Sequence, residues 1–296
     1  YAIYTIIKKT KNKSILIGKD TRESSSAIER ILVKGLLEKD IKIYLAGMIS
    51  TPAISFLTQK LSCDLGIVIS ASHNSYEFNG LKFFNEYGQK LSDVKESFIE
   101  KEYLNIKKKL RKSSLFLKTN YFIKKGKVQK VKKPNVIYKK NIFQNLKKNY
   151  LLSSLKVVID CANGSTHKLV KEVFSDFKAK LIIINNKPNG KNINYKCGSL
   201  YPEHMIKVVR KKSADFGISL DGDGDRIICC NEKGNIIDGD KILACLAKHY
   251  LENDMLEGGG VVGTVMSNMG LEKFLNNLGI KLFRSKVGDK FVYDLL

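Results

Sequence analysis

The sequence is short of acid: 29 Asp and Glu stand against 52 Lys and Arg, a formal net charge of +23 over 296 residues. The shortage is local. Between Lys107 and Asn149 there are sixteen Lys or Arg and no acid, so over two-thirds of the excess lies in one stretch. That stretch carries no nucleic-acid motif and only scattered aromatics, so a solvated lysine-rich surface is expected and no specific nucleic-acid partner. Long apolar runs are also missing. None approaches the roughly 18 to 20 residues that cross a bilayer, and the N-terminus lacks the basic, apolar and small-residue order of a signal peptide. No membrane association and a cytoplasmic location are expected. The six cysteines (63, 161, 197, 229, 230 and 245) form no CxxC pair, and the four histidines are scattered. Buried free thiols fit that pattern better than disulfides or a zinc site.

What the chain does have is two polar loops, each set between short apolar runs. Leu65 to Ile69 reads as a buried strand and Leu81 to Phe84 as a second, with an exposed Ser-, His- and Asn-rich turn between them. Ser72, with His73 beside it and Lys82 on the next strand, offers a reachable nucleophile, a base and a positive charge. A covalent phosphoryl or acyl carrier needs that set. The alternative is that Ser, His and Asn only cap a turn.

In the second loop, Phe216 to Leu220 runs into Asp221-Gly222-Asp223-Gly224-Asp225-Arg226 ahead of apolar Ile227 to Cys230. Three carboxylates at alternate positions repel one another without a cation, and the glycines let the backbone turn tightly enough for them to converge on one. The spacing also meets the first, third and fifth positions of a calcium loop, with Glu232 at the twelfth. Arg226 stands where that loop needs glycine, and the flanks read as strands. Magnesium, which keeps open positions for phosphate oxygens, is the expected ion.

Four segments in order, GKDTRESS from Gly18, ISASHN from Ile69, DGDGDR from Asp221 and VGDKFV from Val287, resemble the α-D-phosphohexomutases, most closely the bacterial phosphoglucosamine mutases. PNGKNINYKCGS from Pro188 and GTVMSNMGLE from Gly263 extend the resemblance over nearly the whole chain. It implies an α/β fold of consecutive βα-repeat domains with mixed sheets. The first would span 1–148 and hold the serine loop, the second 149–254 with the metal loop, and a third would start at 255, incomplete and with no fourth after it.

The implied reaction is an intramolecular phosphoryl transfer. Ser72, carried as a phosphoserine, hands its phosphoryl to glucosamine 6-phosphate, the bisphosphate reorients, and the other phosphate returns to leave glucosamine 1-phosphate. That product would feed UDP-N-acetylglucosamine and cell-wall precursors. The implied cofactors are one Mg2+ on Ser72, Asp221, Asp223 and Asp225 and a sugar bisphosphate primer. Arg22 would hold phosphate near the serine, and Lys82 would shuttle protons, with His73 as second choice. Lys286 and Asp289 would meet phosphate or substrate, and Arg226 would either do the same or tie down its own acidic loop. The expected partner is a small phosphosugar, and the expected assembly a monomer or homodimer. Two departures from the family, Ser75 in place of a proline and Phe78 in place of an acid, leave the serine loop less pre-set. A phosphoglucomutase or phosphomannomutase is the nearest alternative; a magnesium phosphomonoesterase and a polyanion binder are more distant ones.

The rest reads as βα units, in which loops at the carboxyl ends of strands meet ligands. A strand from Ser14 to Ile17 puts Asp20 and Arg22 on that edge, ahead of a helix from about Ser25 with Ile28, Ile31, Leu32 and Leu36 on its apolar face. Thr51-Pro52 opens the next helix, with threonine as cap. Asn163-Gly164 follows the strand Leu155 to Ile159 and reads as turn chemistry. The second domain is expected to close with a helix over Asp240 to Glu252. Gly258, Gly260 and Gly263 precede the strand Val261 to Val265 instead of following one, so they mark a domain entry and no dinucleotide site. A start at Tyr1 and a third unit that ends at Leu296 lead us to expect a fragment.

Overall fold

The strand β1 (Ser14–Lys19) is buried at all six positions, as a parallel strand covered on both faces must be. The computed structural model describes residues 2–10, 12–112, 126–144, 146 and 152–296. Alternation along β1 sorts its side chains into two layers. Ile15 and Ile17 join Ile3, Leu36 and Ile99, while Leu16 joins Ile54 and Leu57. The first layer is supplied by α1 (Ala2–Ile7), α2 (Glu23–Leu37) and α4 (Asp93–Lys112), the second by α3 (Thr51–Lys60) with α5 (Pro134–Gln144). Ile31 was expected on the apolar face of α2 and is instead 71% exposed, since Ile28, Leu32, Val33, Leu36 and Leu37 make the contact with the sheet.

On one side of β1 the sheet continues through β2 (Lys42–Met48) and β5 (Lys127–Lys130), on the other through β3 (Leu65–Ile69) and β4 (Leu81–Asn85). The order is β4-β3-β1-β2-β5, with β3 and β4 antiparallel and the other pairs parallel. Part of the basic stretch from Lys107 to Asn149 (113–125, 145 and 147–149) lies outside the described residues; the remainder ends α4 and supplies β5 and α5.

A second sheet repeats this plan. Its strands are β6 (Lys156–Asp160), β7 (Lys180–Ile184), β8 (Phe216–Leu220), β9 (Ile227–Asn231) and β10 (Ile236–Ile237), in the order β10-β9-β8-β6-β7. The helices α6 (Leu169–Asp176) and α7 (Glu203–Lys212) cover it. β6 is parallel to both neighbours, and β8 and β9 are antiparallel. Both polar loops therefore occupy the same place in their sheets. Residues 70–80 join the antiparallel pair β3 and β4, and residues 221–226 join β8 and β9.

A third unit pairs β11 (Gly260–Thr264) with β12 (Lys281–Ser285) in parallel, beside α8 (Gly239–Glu252), α9 (Met269–Asn277) and α10 (Asp289–Leu295). The sequence reading ended the second domain at 254. In the structure Leu243, Ala244 and Ala247 of α8 pack with Leu271 and Leu275 of α9, so the third unit's apolar contacts begin with α8. No helix among the described residues is long and apolar enough to cross a membrane.

Candidate active site

Ser72 has a left-handed backbone (φ 51°) in the turn that follows β3. Its N–H donates to Ser70 Oγ at 2.9 Å, and Ser70 Oγ donates to Asp20 Oδ2 at 2.7 Å. Arg22 holds the same turn. Its Nε donates to Asp20 Oδ2 at 2.8 Å, Nη1 to the carbonyls of Ser75 and Phe78, and Nη2 to those of Ser72 and Asn74, both at 2.9 Å. A planar guanidinium has five N–H donors, and all five are spent here. In this structure Arg22 clasps the loop and pins the carbonyl of Ser75, where the family's proline would stiffen the chain. Asp20 and Arg22 both have fully buried side chains.

The serine was expected on an exposed turn, yet it is only 8% exposed. The second domain closes over it. Ser72 Oγ donates to Asp221 Oδ2 at 2.6 Å, with Asp225 Oδ1 at 3.3 Å, and Asn194 Nδ2 donates to the Ser72 carbonyl at 2.8 Å. One oxygen from each of Asp221, Asp223 and Asp225 lies within 4.8 Å of the others. Asp221 Oδ1 accepts the backbone N–H groups of Asp225 (3.0 Å) and Arg226 (3.1 Å), which folds the loop back on its first carboxylate. Thr51 donates its N–H to the Asp223 carbonyl (2.8 Å) and its hydroxyl to Asp223 Oδ2 (2.6 Å). It was expected to cap its own helix; its hydroxyl ties the metal loop to the first domain instead.

Lys82 Nζ lies 2.5 Å from Asp223 Oδ2 and 2.6 Å from Asp225 Oδ2. Burial would lower its pKa, but these two carboxylates outweigh burial and hold the ammonium above its ordinary value. A lysine that acts as a general base near neutral pH needs a lowered pKa, and with these carboxylates beside it Lys82 is shifted the other way. One ammonium does not neutralise three carboxylates. Burial first, and the charge of Asp223 second, push the Asp221 carboxyl up to about 7. Asp223 Oδ1 is buried with no hydrogen-bond partner among the described residues. Both observations fit a divalent, oxygen-preferring cation on this loop.

His73 is brought alongside. Burial, then the positive charge of Arg226, hold its ring below the ordinary pKa, and its Nδ1 is buried without a partner among the described residues. Arg226 is exposed, and the loop is tied down by its backbone N–H. Asp289 opens α10 and pairs with Lys90 at 2.7 Å. With Thr51, Gly224, Asp225 and Lys290 these two residues line a cavity of about 440 Å3 beside the aspartates. Both lysines of this cavity are paired as well, Lys90 with Asp289 and Lys290 with Asp93 at 2.8 Å, so a phosphate entering it would compete with those two carboxylates for them. Lys286 does not line it; its Nζ sits 5.8 Å over the Phe291 ring. Sequence reasoning missed Thr51, Lys90, Lys290 and Asn194 as site residues. Lys290 and Asn194 lie inside quoted motifs, which was the available signal.

Three family models match in chain order: phosphoglucomutase/phosphomannomutase alpha/beta/alpha domain I over residues 1–110, domain II over 135–234 and domain III over 238–296. The chain belongs to the phosphoglucomutase/phosphomannomutase family. Within this phosphohexomutase family it is 43% identical over 288 residues to a curated phosphoglucosamine mutase of a Nitratiruptor species, covering 97% of this chain and 63% of that protein. It is 45% identical over 282 residues to the phosphoglucosamine mutase of Thermodesulfovibrio yellowstonii, covering 95% of this chain and 60% of that one. The chain therefore spans less than two-thirds of the length of these relatives. Among solved structures, a phosphoglucomutase/phosphomannomutase family protein from Burkholderia thailandensis superposes with a TM-score of 0.83 at 21% identity, covering 100% of this chain and 62% of that one. The Aspergillus fumigatus N-acetylphosphoglucosamine mutase, solved with GlcNAc-6P and magnesium, gives a TM-score of 0.54 at 19% identity, covering 83% and 61%. At such identities the structures speak to the fold, and they agree with consecutive α/β domains built on mixed sheets.

Proposed function

We propose that this phosphohexomutase chain is the phosphoryl-carrying part of a phosphoglucosamine mutase, which interconverts glucosamine 6-phosphate and glucosamine 1-phosphate through a phosphorylated Ser72 and a sugar bisphosphate. One observation carries the reading: the Ser72 hydroxyl, 149 residues away in sequence, lies 2.6 Å from Asp221 in the carboxylate cluster. Phosphoryl transfer asks a protein mainly for alignment and charge neutralisation. The amino-sugar choice is supported by identity to phosphoglucosamine mutases over most of the chain. A sugar phosphate is a cytoplasmic metabolite, and we place the chain in the cytoplasm. We place its domain limits at 1–148, 149–238 and from 239.

Asp221, Asp223 and Asp225, with one oxygen on Ser72, would hold a single Mg2+, which when bound offsets charge on the transferred group. Everything else is done by side chains. Arg22 and Ser70 fix the turn so that Ser72 Oγ faces the aspartates. Thr51 and Lys82 orient Asp223. Lys82 Nζ holds the proton to be exchanged with the sugar hydroxyl and gives it up once its carboxylate partners are otherwise engaged, with His73 as second candidate. Lys90 and Lys290 line the cavity where the sugar's own phosphate would sit.

The test is to incubate the protein with Mg2+ and glucosamine 1,6-bisphosphate and read its intact mass. We expect a gain of one phosphate, mapped to the peptide that contains Ser72, and faster discharge by glucosamine 6-phosphate than by glucose 6-phosphate. Phosphate on another residue, or steady release of inorganic phosphate as a phosphomonoesterase would give, contradicts the reading.

A further inference from the structure

Asn194 belongs to the second domain and lies 122 residues from Ser72, yet its side chain is built into the serine loop. The residue is 6% exposed and has φ of 57°, a left-handed conformation that asparagine tolerates better than most residues. Its own N–H donates to the Ala162 carbonyl at 2.9 Å, which fixes where its side chain starts. Its Nδ2 then donates to the carbonyls of Ser72 (2.8 Å) and Asn74 (3.0 Å). Arg22 Nη2 reaches the same two carbonyls from the first domain. A carbonyl oxygen has two lone pairs, so each of the two takes one donor from either domain.

The same Nδ2 also lies beside the metal loop. A Cβ added at Gly222 would lie 2.8 Å from Asn194 Nδ2 and 2.6 Å from Ile193 Cδ1, so the backbone between Asp221 and Asp223 passes close to this amide. A side chain there would have to displace Ile193 or the Asn194 amide. One side chain therefore touches both loops whose separation sets the chemistry.

We propose that Asn194 is a positioning residue: by pinning the Ser72 carbonyl while seated against Gly222, its carboxamide sets the distance from Ser72 Oγ to the aspartates. The inference rests on the reading of Ser72 as the phosphoryl carrier. Asn194 touches no reacting atom, and its effect is geometric. A misplacement of about 1 Å can cost about 10²-fold in rate.

Two variants test this. Asn194→Asp keeps the shape and sets a carboxylate oxygen against two carbonyl oxygens; Asn194→Gly keeps the left-handed backbone and removes both donors. Alanine is avoided because the positive φ would add strain of its own. Charging of Ser72 by glucosamine 1,6-bisphosphate is expected to slow about 10²-fold in both, while the melting temperature, lowered by the lost hydrogen bonds, stays above the assay temperature and Mg2+ affinity, read by calorimetry, does not fall. Hydrogen exchange of the Ser72 and Asn74 amides should quicken. A wild-type charging rate overturns the proposal, and so does a loss that tracks weakened Mg2+ binding or unfolding, since that marks a merely structural role. If the wild-type chain takes no phosphate at all, the functional reading fails separately and exchange decides the matter: faster exchange in folded Asn194→Asp upholds the pin, and unchanged exchange removes it.

Discussion

Asp223→Asn should weaken Mg2+ binding and slow the charging of Ser72, each by about 10³-fold, the scale of a Lewis-acid contribution of several kcal/mol. The residue is fully buried, and its Oδ1 has no protein partner among the described residues. An amide in its place is no anion and offers the cation a poorer ligand. The substitution also relieves repulsion. Because the charge of Asp223 helps to push Asp221 up to about 7, the Asp221 carboxyl should titrate lower in the variant, and the metal-free protein should lose little stability. Mg2+ at about 100 times its dissociation constant should stabilise the wild type by about 2.7 kcal/mol through mass action. The same concentration should leave the melting temperature of Asp223→Asn unmoved. Equal Mg2+-induced shifts in both proteins would place the ion elsewhere.

Lys82→Met should also cost about 10²- to 10³-fold in transfer, the range of a lost general acid or base, but its metal response has the opposite sign. Lys82 competes with a cation for Asp223 Oδ2 and Asp225 Oδ2. Without the ammonium, Mg2+ affinity should hold or rise. The metal-free variant should be destabilised, because the buried Asp223 carboxylate loses an ionic partner, and Mg2+ should restore it. Calorimetric titration and thermal melts with and without Mg2+ check both halves. A Lys82→Met protein that transfers phosphate at the wild-type rate would remove this lysine from the mechanism.

Two strands were legible to the residue: Leu65–Ile69 and Phe216–Leu220 end where the apolar run ends. β1, buried throughout, was read two residues short, because Gly18 and Lys19 carry it past its apolar run. The two chemical loops followed from those limits. The helices over Asp93–Lys112 and Pro134–Gln144 went unread, since they are polar and bury few residues. Of the candidate site, Ser72 and the three aspartates were identifiable because each lies in a short motif, and Lys82 because it lies on the strand that follows the serine loop. Their supports were not. Thr51 meets Asp223 across 172 residues, and Asn194 meets Ser72 across 122; contacts of such range depend on how two domains dock, which no local pattern encodes. Arg22 was singled out through the resemblance at GKDTRESS; what no local pattern gave is that its guanidinium donates to Asp20 and to four loop carbonyls. Lys82 shows the limit of reasoning about pKa from type alone, as burial and two carboxylates pull in opposite directions and only the distances decide between them.

The most direct measurement is anomalous diffraction from crystals of the phosphorylated protein soaked in Mn2+ as a stand-in for Mg2+. The account predicts one peak about 2 Å from oxygens of Asp221, Asp223 and Asp225 and of the phosphate on Ser72. A peak away from that phosphate, or no peak among the three aspartates at saturating Mn2+, would contradict it.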